Sequence, residues 1–164
     1  MNLILIGFKS SGKSTIGKIL SEKMKKSFFD IDRLIEQNYN GLSYFEIYQK
    51  EGENRFRELE KKAIFSLENI KNGLIATGGG TLLDPHNQTF LKSIGEFIYL
   101  YVEKDLLRKR IEKERVPSFL QNNFSKTFRE RNSIYQKCAD HVLDISEMDI
   151  ETSIDEILSV LNGK

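Results

Sequence analysis

Apolar residues recur along this chain in two alternating rhythms. Mostly apolar runs at Asn2 to Ile6, Ser27 to Asp30, Gly73 to Thr77, Glu96 to Val102 and His141 to Ile145 are short and bounded by glycine, aspartate or charge, which predicts strands. Between them the spacing becomes helical. Ile16, Ile19, Leu20 and Met24 mark one face, Leu59, Ala63, Leu67 and Ile70 a second, and Ile154, Ile157, Leu158 and Leu161 a third. Ser43 with Glu46, ahead of Ile47 and Tyr48, forms a capping box, and Asp84 followed by Pro85 is an N-cap with proline at the first helical position. The expected order is βαβααα, then βαβαα, then βα. Strands alternating with helices predict an α/β domain with a parallel sheet of five strands flanked by helices, undivided by repeats or low-complexity linkers.

Composition narrows the chemistry. The chain has 164 residues, 39% of them hydrophobic and only 2 prolines, enough for a single domain with a substantial core. Its 25 Lys+Arg against 24 Asp+Glu give a net charge of +1 and no global field, so neither a nucleic acid nor a membrane surface is an expected partner. One cysteine, Cys138, distant in sequence from His86 and His141, supports neither an internal disulfide nor a cysteine-rich metal site and fits a reducing cytoplasm. No apolar run approaches the roughly 20 residues that cross a bilayer. A soluble, cytoplasmic monomer is expected.

The first strand runs into an abrupt change of chemistry at "LILIGFKSSGKST". Gly7, Gly12, Lys13 and Ser14 match the pattern Gly-x-x-x-x-Gly-Lys-Ser/Thr between a predicted strand and a predicted helix, which is the context a phosphate loop requires. Glycines let the backbone wrap a phosphate, and the N–H groups entering the helix at Lys13 to Thr15 aim the positive end of the helix dipole at it. Ser10 and Ser11 lie within the loop and share the candidate nucleotide site. Lys13 adds a point charge at a site expected to be open to solvent. Ser14 offers a hydroxyl to a Mg²⁺ bridging the β and γ phosphates of a nucleoside triphosphate.

A phosphate loop alone does not separate a switch from a transferase. The chain lacks any Asn-Lys dipeptide, the start of the Asn-Lys-x-Asp element usual in guanine-specific GTPases. In "FFDID" a strand ends in two carboxylates one residue apart. At the carboxyl end of a strand beside the phosphate loop, Asp30 can hold the Mg²⁺ water shell while Asp32 faces an acceptor; alternatively, Asp32 only caps the next helix.

The stretch "GENRFRELE" completes a pattern. Asp30 and Asp32, then Gly52, Glu53, Phe56 and Arg57, then the triplet Gly78, Gly79 and Gly80, all in register after the phosphate loop, resemble shikimate kinase over nearly the whole chain. The resemblance implies a three-layer P-loop kinase of the nucleoside-monophosphate-kinase type, with an acceptor-binding insertion at about 32–59 and a lid at about 112–124. It also implies phosphorylation of the shikimate 3-hydroxyl by ATP in aromatic amino-acid biosynthesis, with shikimate held by Asp32, Arg57, the glycine triplet and Arg131 of "RERNSIY". A kinase for another small acid such as gluconate, or an inactive nucleotide-binding module, are the competing readings.

The residue chemistry agrees with that implication. Two planar, permanently charged guanidinium groups suit a carboxylate, and Asp32 can orient the attacking hydroxyl or accept its proton. Glu60, three residues after Arg57, can hold the guanidinium in place. In the basic segment "DLLRKRIEKERVPSFLQNNFS", which begins as a helix and breaks at Pro117, the resemblance implies Arg110 near adenine and a lid arginine on the phosphates. The nearest candidate is Arg115, expected to be catalytic, but Val116 separates it from Pro117. An extended pre-proline residue turns neighbouring side chains to opposite sides, so such a lid must close along its own backbone path.

Overall fold

The computed structural model describes residues 1–163, and all five expected strands are present: β1 (Asn2–Ile6), β2 (Ser27–Asp30), β3 (Gly73–Ala76), β4 (Gly95–Tyr101) and β5 (His141–Asp144). They form one parallel sheet in the order β2-β3-β1-β4-β5. β1 is buried along its whole length at the centre, which explains its lack of any polar alternation. The boundaries of three strands shift by one residue from expectation. Thr77 and Ile145 still donate backbone bonds to Leu5 O (3.1 Å) and Tyr101 O (3.0 Å), so the ladder fades there rather than stops.

The chain leaves β1 toward β2 on one side, and β4 later fills its other side. β1 is therefore the switch point of the sheet, where open α/β sheets form a crevice beyond the strand ends. The phosphate loop follows β1 directly and enters α1 (Lys13–Lys23). β2 enters α2 (Ile31–Glu36), and α3 (Tyr44–Phe65) follows, begun by the expected box: Ser43 accepts from Glu46 N and donates N–H to the Glu46 carboxylate at 2.8 Å.

Gly52 interrupts α3 with φ 78° and ψ 169°, a conformation that only glycine adopts without strain, so this one element is the two helices expected on either side of that glycine. Beyond the bend the most buried line carries Phe56, Glu60 and Ile64, with the expected stripe of Leu59, Ala63, Leu67 and Ile70 beside it. Leu59 and Ala63 are only half-buried, while Leu67 and Ile70 lie beyond the helix end. All four nevertheless pack on the core, Leu67 within it, so the spacing marks the packed side while a glutamate occupies its most buried line.

The second half runs through a 3₁₀ turn at Thr81–Leu83, α4 (Pro85–Ile94, capped by Asp84), β4, α5 (Lys104–Ile111), α6 (Ser118–Asn122), α7 (Phe124–Cys138), β5 and α8 (Ile150–Asn162). α6 is an addition to the expected order. Pro117, expected only to break a helix, sits at its N-cap. Among the described residues no helix is long and apolar enough to cross a membrane.

The end of the sheet opposite the crevice is tied by one side chain. Asn2 is buried; its amide donates to Ile70 O (2.8 Å) and Ile94 O (2.9 Å) and its oxygen accepts from Gly73 N (2.7 Å), joining the starts of β1, β3 and β4. Replacing Asn2 by leucine leaves one donor and two acceptors unpaired, at about 1–3 kcal/mol for each group that water cannot reach. Asn2→Leu is expected to lower the melting temperature by roughly 5–10 °C in a thermal scan.

Candidate active site

Four segments meet over the carboxyl ends of β1, β2 and β3: the phosphate loop, the start of α2, the bent α3 and the glycine triplet after β3. α7 and the segment around α6 close the far wall. The cleft is lined by Lys9, Asp32, Tyr44, Tyr48, Phe56, Arg57, Glu60, Gly78 to Gly80, Pro117, Phe119, Leu120 and Arg131. Asp32, Arg57, the glycine triplet and Arg131, spread over 100 residues of sequence, thus share one cavity as expected.

Each charged group has a local reason to be where it is. Phe56 anchors α3 in the core beside Tyr44 and Tyr48, which leaves the next residue, Arg57, at the cleft. Glu60, one helical turn on and 1% exposed, accepts from Arg57 at 2.9 Å and from the Thr81 hydroxyl at 2.7 Å. A carboxylate so buried is tolerated because both oxygens are bonded. Arg131 of α7, also buried, donates to Gly79 O at 2.9 Å, and the Tyr135 hydroxyl donates to the same oxygen. The Arg131 guanidinium lies 5.5 Å over both the Phe8 and Phe119 rings.

The glycine triplet does more than keep side chains away from reacting groups. A Cβ on Gly79 would stand 2.9 Å from the backbone nitrogen of Lys9, so a larger residue would push the triplet off the phosphate loop. At Gly78, the same point lies 3.1 Å from Asp32 Oδ1 and 2.9 Å from Glu60 Oε1, which places those two carboxylates side by side. Asp30, not Asp32, caps α2: its carboxylate accepts from Arg33 N at 3.3 Å. Asp32 is left facing the cleft. Burial pushes its carboxyl up to about 6, opposed by the Lys9 charge and reinforced by Asp30 and Glu60.

Lys13 departs from its expected solvent-open setting. It is 7% exposed, and its ammonium donates to Gly7 O (2.8 Å), Phe8 O (2.7 Å) and Ser11 Oγ (3.4 Å). The loop curls its own carbonyls around the lysine. Burial first, then the Lys9 charge, pulls the Lys13 ammonium down to about 7, while Asp32 and Asp30 partly offset them. Ser14 and Thr15 are exposed in the first turn of α1, where Gly12 is the N-cap. Ser10 holds φ 67° and accepts from Arg110 Nη1 at 3.1 Å, so Arg110 braces the phosphate loop from α5.

Arg115 is not brought into the cleft. It is exposed, near enough to Glu46 to stabilise that carboxylate, because the neighbouring Val116 and Pro117 are buried and turn it outward. What this segment contributes to the cavity is apolar: Pro117, Phe119 and Leu120, with Phe119 6.2 Å from the Tyr48 ring. The sequence reading also missed Lys9, Tyr44 and Tyr48. The aromatics resemble ordinary core residues in sequence, whereas the lysine inside the phosphate loop was a visible signal.

The shikimate kinase family model matches residues 9–162. The chain belongs to the shikimate kinase family. It is 33% identical to a shikimate kinase of Syntrophus aciditrophicus, over 96% of this chain and 89% of the relative. It is 34% identical to one of Caldanaerobacter subterraneus, over 96% and 94%. Among solved structures, shikimate kinase from Acinetobacter baumannii in complex with shikimate superposes with a TM-score of 0.88 at 29% identity, covering 99% of this chain and 93% of that one. The Aquifex aeolicus shikimate kinase gives 0.82 at 34% identity, covering 99% and 97%. The five-stranded parallel sheet and its flanking helices are the fold of this kinase family.

A buried carboxyl raised above its ordinary 3.8 favours its protonated form in the folded state, so its stability contribution is present below about 4 and lost as pH rises toward 6. Asp32→Asn is therefore expected to raise the melting temperature at pH 7 and to leave it nearly unchanged at pH 4, as measured by calorimetry at both values.

Proposed function

We propose that this protein transfers the γ-phosphoryl group of ATP to the 3-hydroxyl of shikimate, giving shikimate 3-phosphate and ADP. The observation that carries the reading is the single cavity in which Asp32, Arg57 and Arg131 face a common space directly against the phosphate loop. Family membership supports the same assignment.

In this reading the substrate carboxylate lies between Arg57 and Arg131, whose orientations are fixed by Glu60 and by Gly79 O. Asp32 accepts from the attacking hydroxyl. The triphosphate lies on the N–H groups of Gly12 to Thr15 and draws the Lys13 ammonium from the loop carbonyls, with Ser10 and Ser11 shaping the loop and Arg110 bracing it near the base. The acceptor oxygen bonds to the γ-phosphorus as the bond to the β,γ-bridging oxygen breaks, its electron pair leaving on ADP and the hydroxyl proton passing to Asp32.

The residues at hand fit a magnesium ion: an exposed hydroxyl at the start of α1 and a carboxylate one strand away that acts electrostatically on Lys13. Ser14 and, through water, Asp30 would hold it. When bound, the ion neutralises the β and γ phosphates. Among the described residues no cluster of three or more acidic, histidine or cysteine ligands exists, as suits an ion that takes most of its shell from phosphates and water. Residues 32–59 act as the acceptor-binding insertion and 112–124 as the lid, which closes by its apolar side chains.

A coupled ADP-release assay across shikimate, gluconate and AMP tests the function. Turnover with shikimate is expected, and turnover only with another acceptor overturns the assignment. Arg131→Ala is expected to raise the KM for shikimate about 10- to 100-fold, the loss of one charge-assisted contact, while Tyr135 keeps Gly79 O paired and the fold intact.

The pH dependence has a defined shape. Asp32 must be ionised and Lys13 protonated, so kcat/KM at low substrate is expected to rise through about 6 and fall above about 7. A flat profile from pH 5 to 9 would remove both groups from the reaction.

A further inference from the structure

The phosphate loop contains two lysines, and only one has been given work. Lys13 is wrapped by loop carbonyls, whereas the Lys9 ammonium forms no hydrogen bond or ion pair among the described residues and lies 4.3 Å over the Tyr44 ring. A half-buried cation resting on an aromatic face keeps its charge available while its position is restricted. Tyr44 belongs to the first turn of α3, fixed by the capping box at Ser43, and its own hydroxyl is buried without a protein partner. The cation is thus held between the nucleotide-side loop and the acceptor-side helix.

Two further observations locate it. The Lys9 backbone is the point where the phosphate loop meets the triplet, with its nitrogen 2.9 Å from a Cβ placed on Gly79. Lys9 is also the strongest charged neighbour of both Lys13 and Asp32, the groups assigned to the phosphates and to the attacking hydroxyl. Lys9 lines the cleft together with Asp32 and the triplet, on the same loop that holds Lys13. Arg115, the nearest candidate for the lid arginine that the family resemblance implies, is exposed outside the cleft.

Resting on the proposed function, we infer that Lys9 is a further catalytic cation, neutralising the phosphoryl group in transit between ATP and the acceptor, with Tyr44 as its positioning residue. The bonds made and broken are those of the transfer itself, and Lys9 contributes charge alone. Its advantage is differential: the metaphosphate-like group is within reach of the ammonium only during transfer, so the contact lowers the barrier more than it strengthens either ground state.

The test compares wild type with Lys9→Met, Lys9→Arg and Tyr44→Leu, each confirmed folded by its thermal transition. Lys9→Met is expected to lower kcat about 100-fold with the KM for ATP and for shikimate changed by less than about threefold, the scale of removing one preorganised group from a transferring oxygen. Lys9→Arg should recover to within about tenfold of wild type, and Tyr44→Leu should fall between them. A second readout needs no acceptor: Lys9→Met should weaken binding of ADP with aluminium fluoride, a mimic of the transferring group, at least about 30-fold while binding of ADP alone is unchanged. The proposal is overturned if Lys9→Met keeps kcat within about threefold, if its loss is confined to KM, or if the fluoride complex binds as in wild type. If wild type fails to phosphorylate shikimate, the proposed function falls, and the aluminium fluoride comparison still decides the role of Lys9.

Discussion

The site depends on a backbone contact. The loop after β1 and the loop after β3 emerge from neighbouring strands and touch where Gly79 packs on Lys9, a distance that no side chain larger than hydrogen permits. Around that contact the acceptor wall is assembled: the Gly79 carbonyl takes hydrogen bonds from both Arg131 and Tyr135, which brings α7 against the triplet. The parallel sheet supplies the adjacency, since only at its switch point do two strand ends open a crevice with helices on either side. Displacing Gly79 would separate the phosphate side from the acceptor side without disturbing the core.

Within the crevice, charges fall into two populations. Glu60 and Arg131 are deeply buried and bonded to fixed partners, so they act as scaffolding for groups beside them. Asp32, Lys9 and Lys13 are held under electrostatic tension: one carboxyl raised, one ammonium lowered, and beside them a cation on the Tyr44 ring that makes no hydrogen bond or ion pair among the described residues. Such frustration costs stability. It is expected where groups must exchange protein partners for a ligand, because a fully satisfied network offers a substrate nothing to gain.

The segment around α6 follows the same division. Its apolar residues Val116, Pro117 and Leu120 are buried, Pro117, Phe119 and Leu120 line the cleft, and its cations Lys113 and Arg115 are exposed. Phe119 of this segment meets the Tyr48 ring of α3 at 6.2 Å, an apolar contact at the cleft.

The sequence by itself determined the five strands, the phosphate loop and both helix caps, because each is written in local periodicity, glycine placement or a spaced motif, whereas the grouping of Asp32, Arg57, Gly78 to Gly80 and Arg131 followed only from the resemblance to a known family. It also anticipated Glu60 as the partner of Arg57, since three residues along a helix bring two side chains together. The tertiary structure decided which face of α3 is buried, because a glutamate lies at its centre and burial of a charge depends on partners 21 residues away. It decided that Asp30 takes the cap and Asp32 the cleft, that Lys13 is enclosed, and that Arg115 faces solvent while Lys9 lines the cleft. These outcomes were not legible because a side chain's environment is set by segments distant in sequence, and a charge becomes catalytic or merely solvated according to what the fold places opposite it.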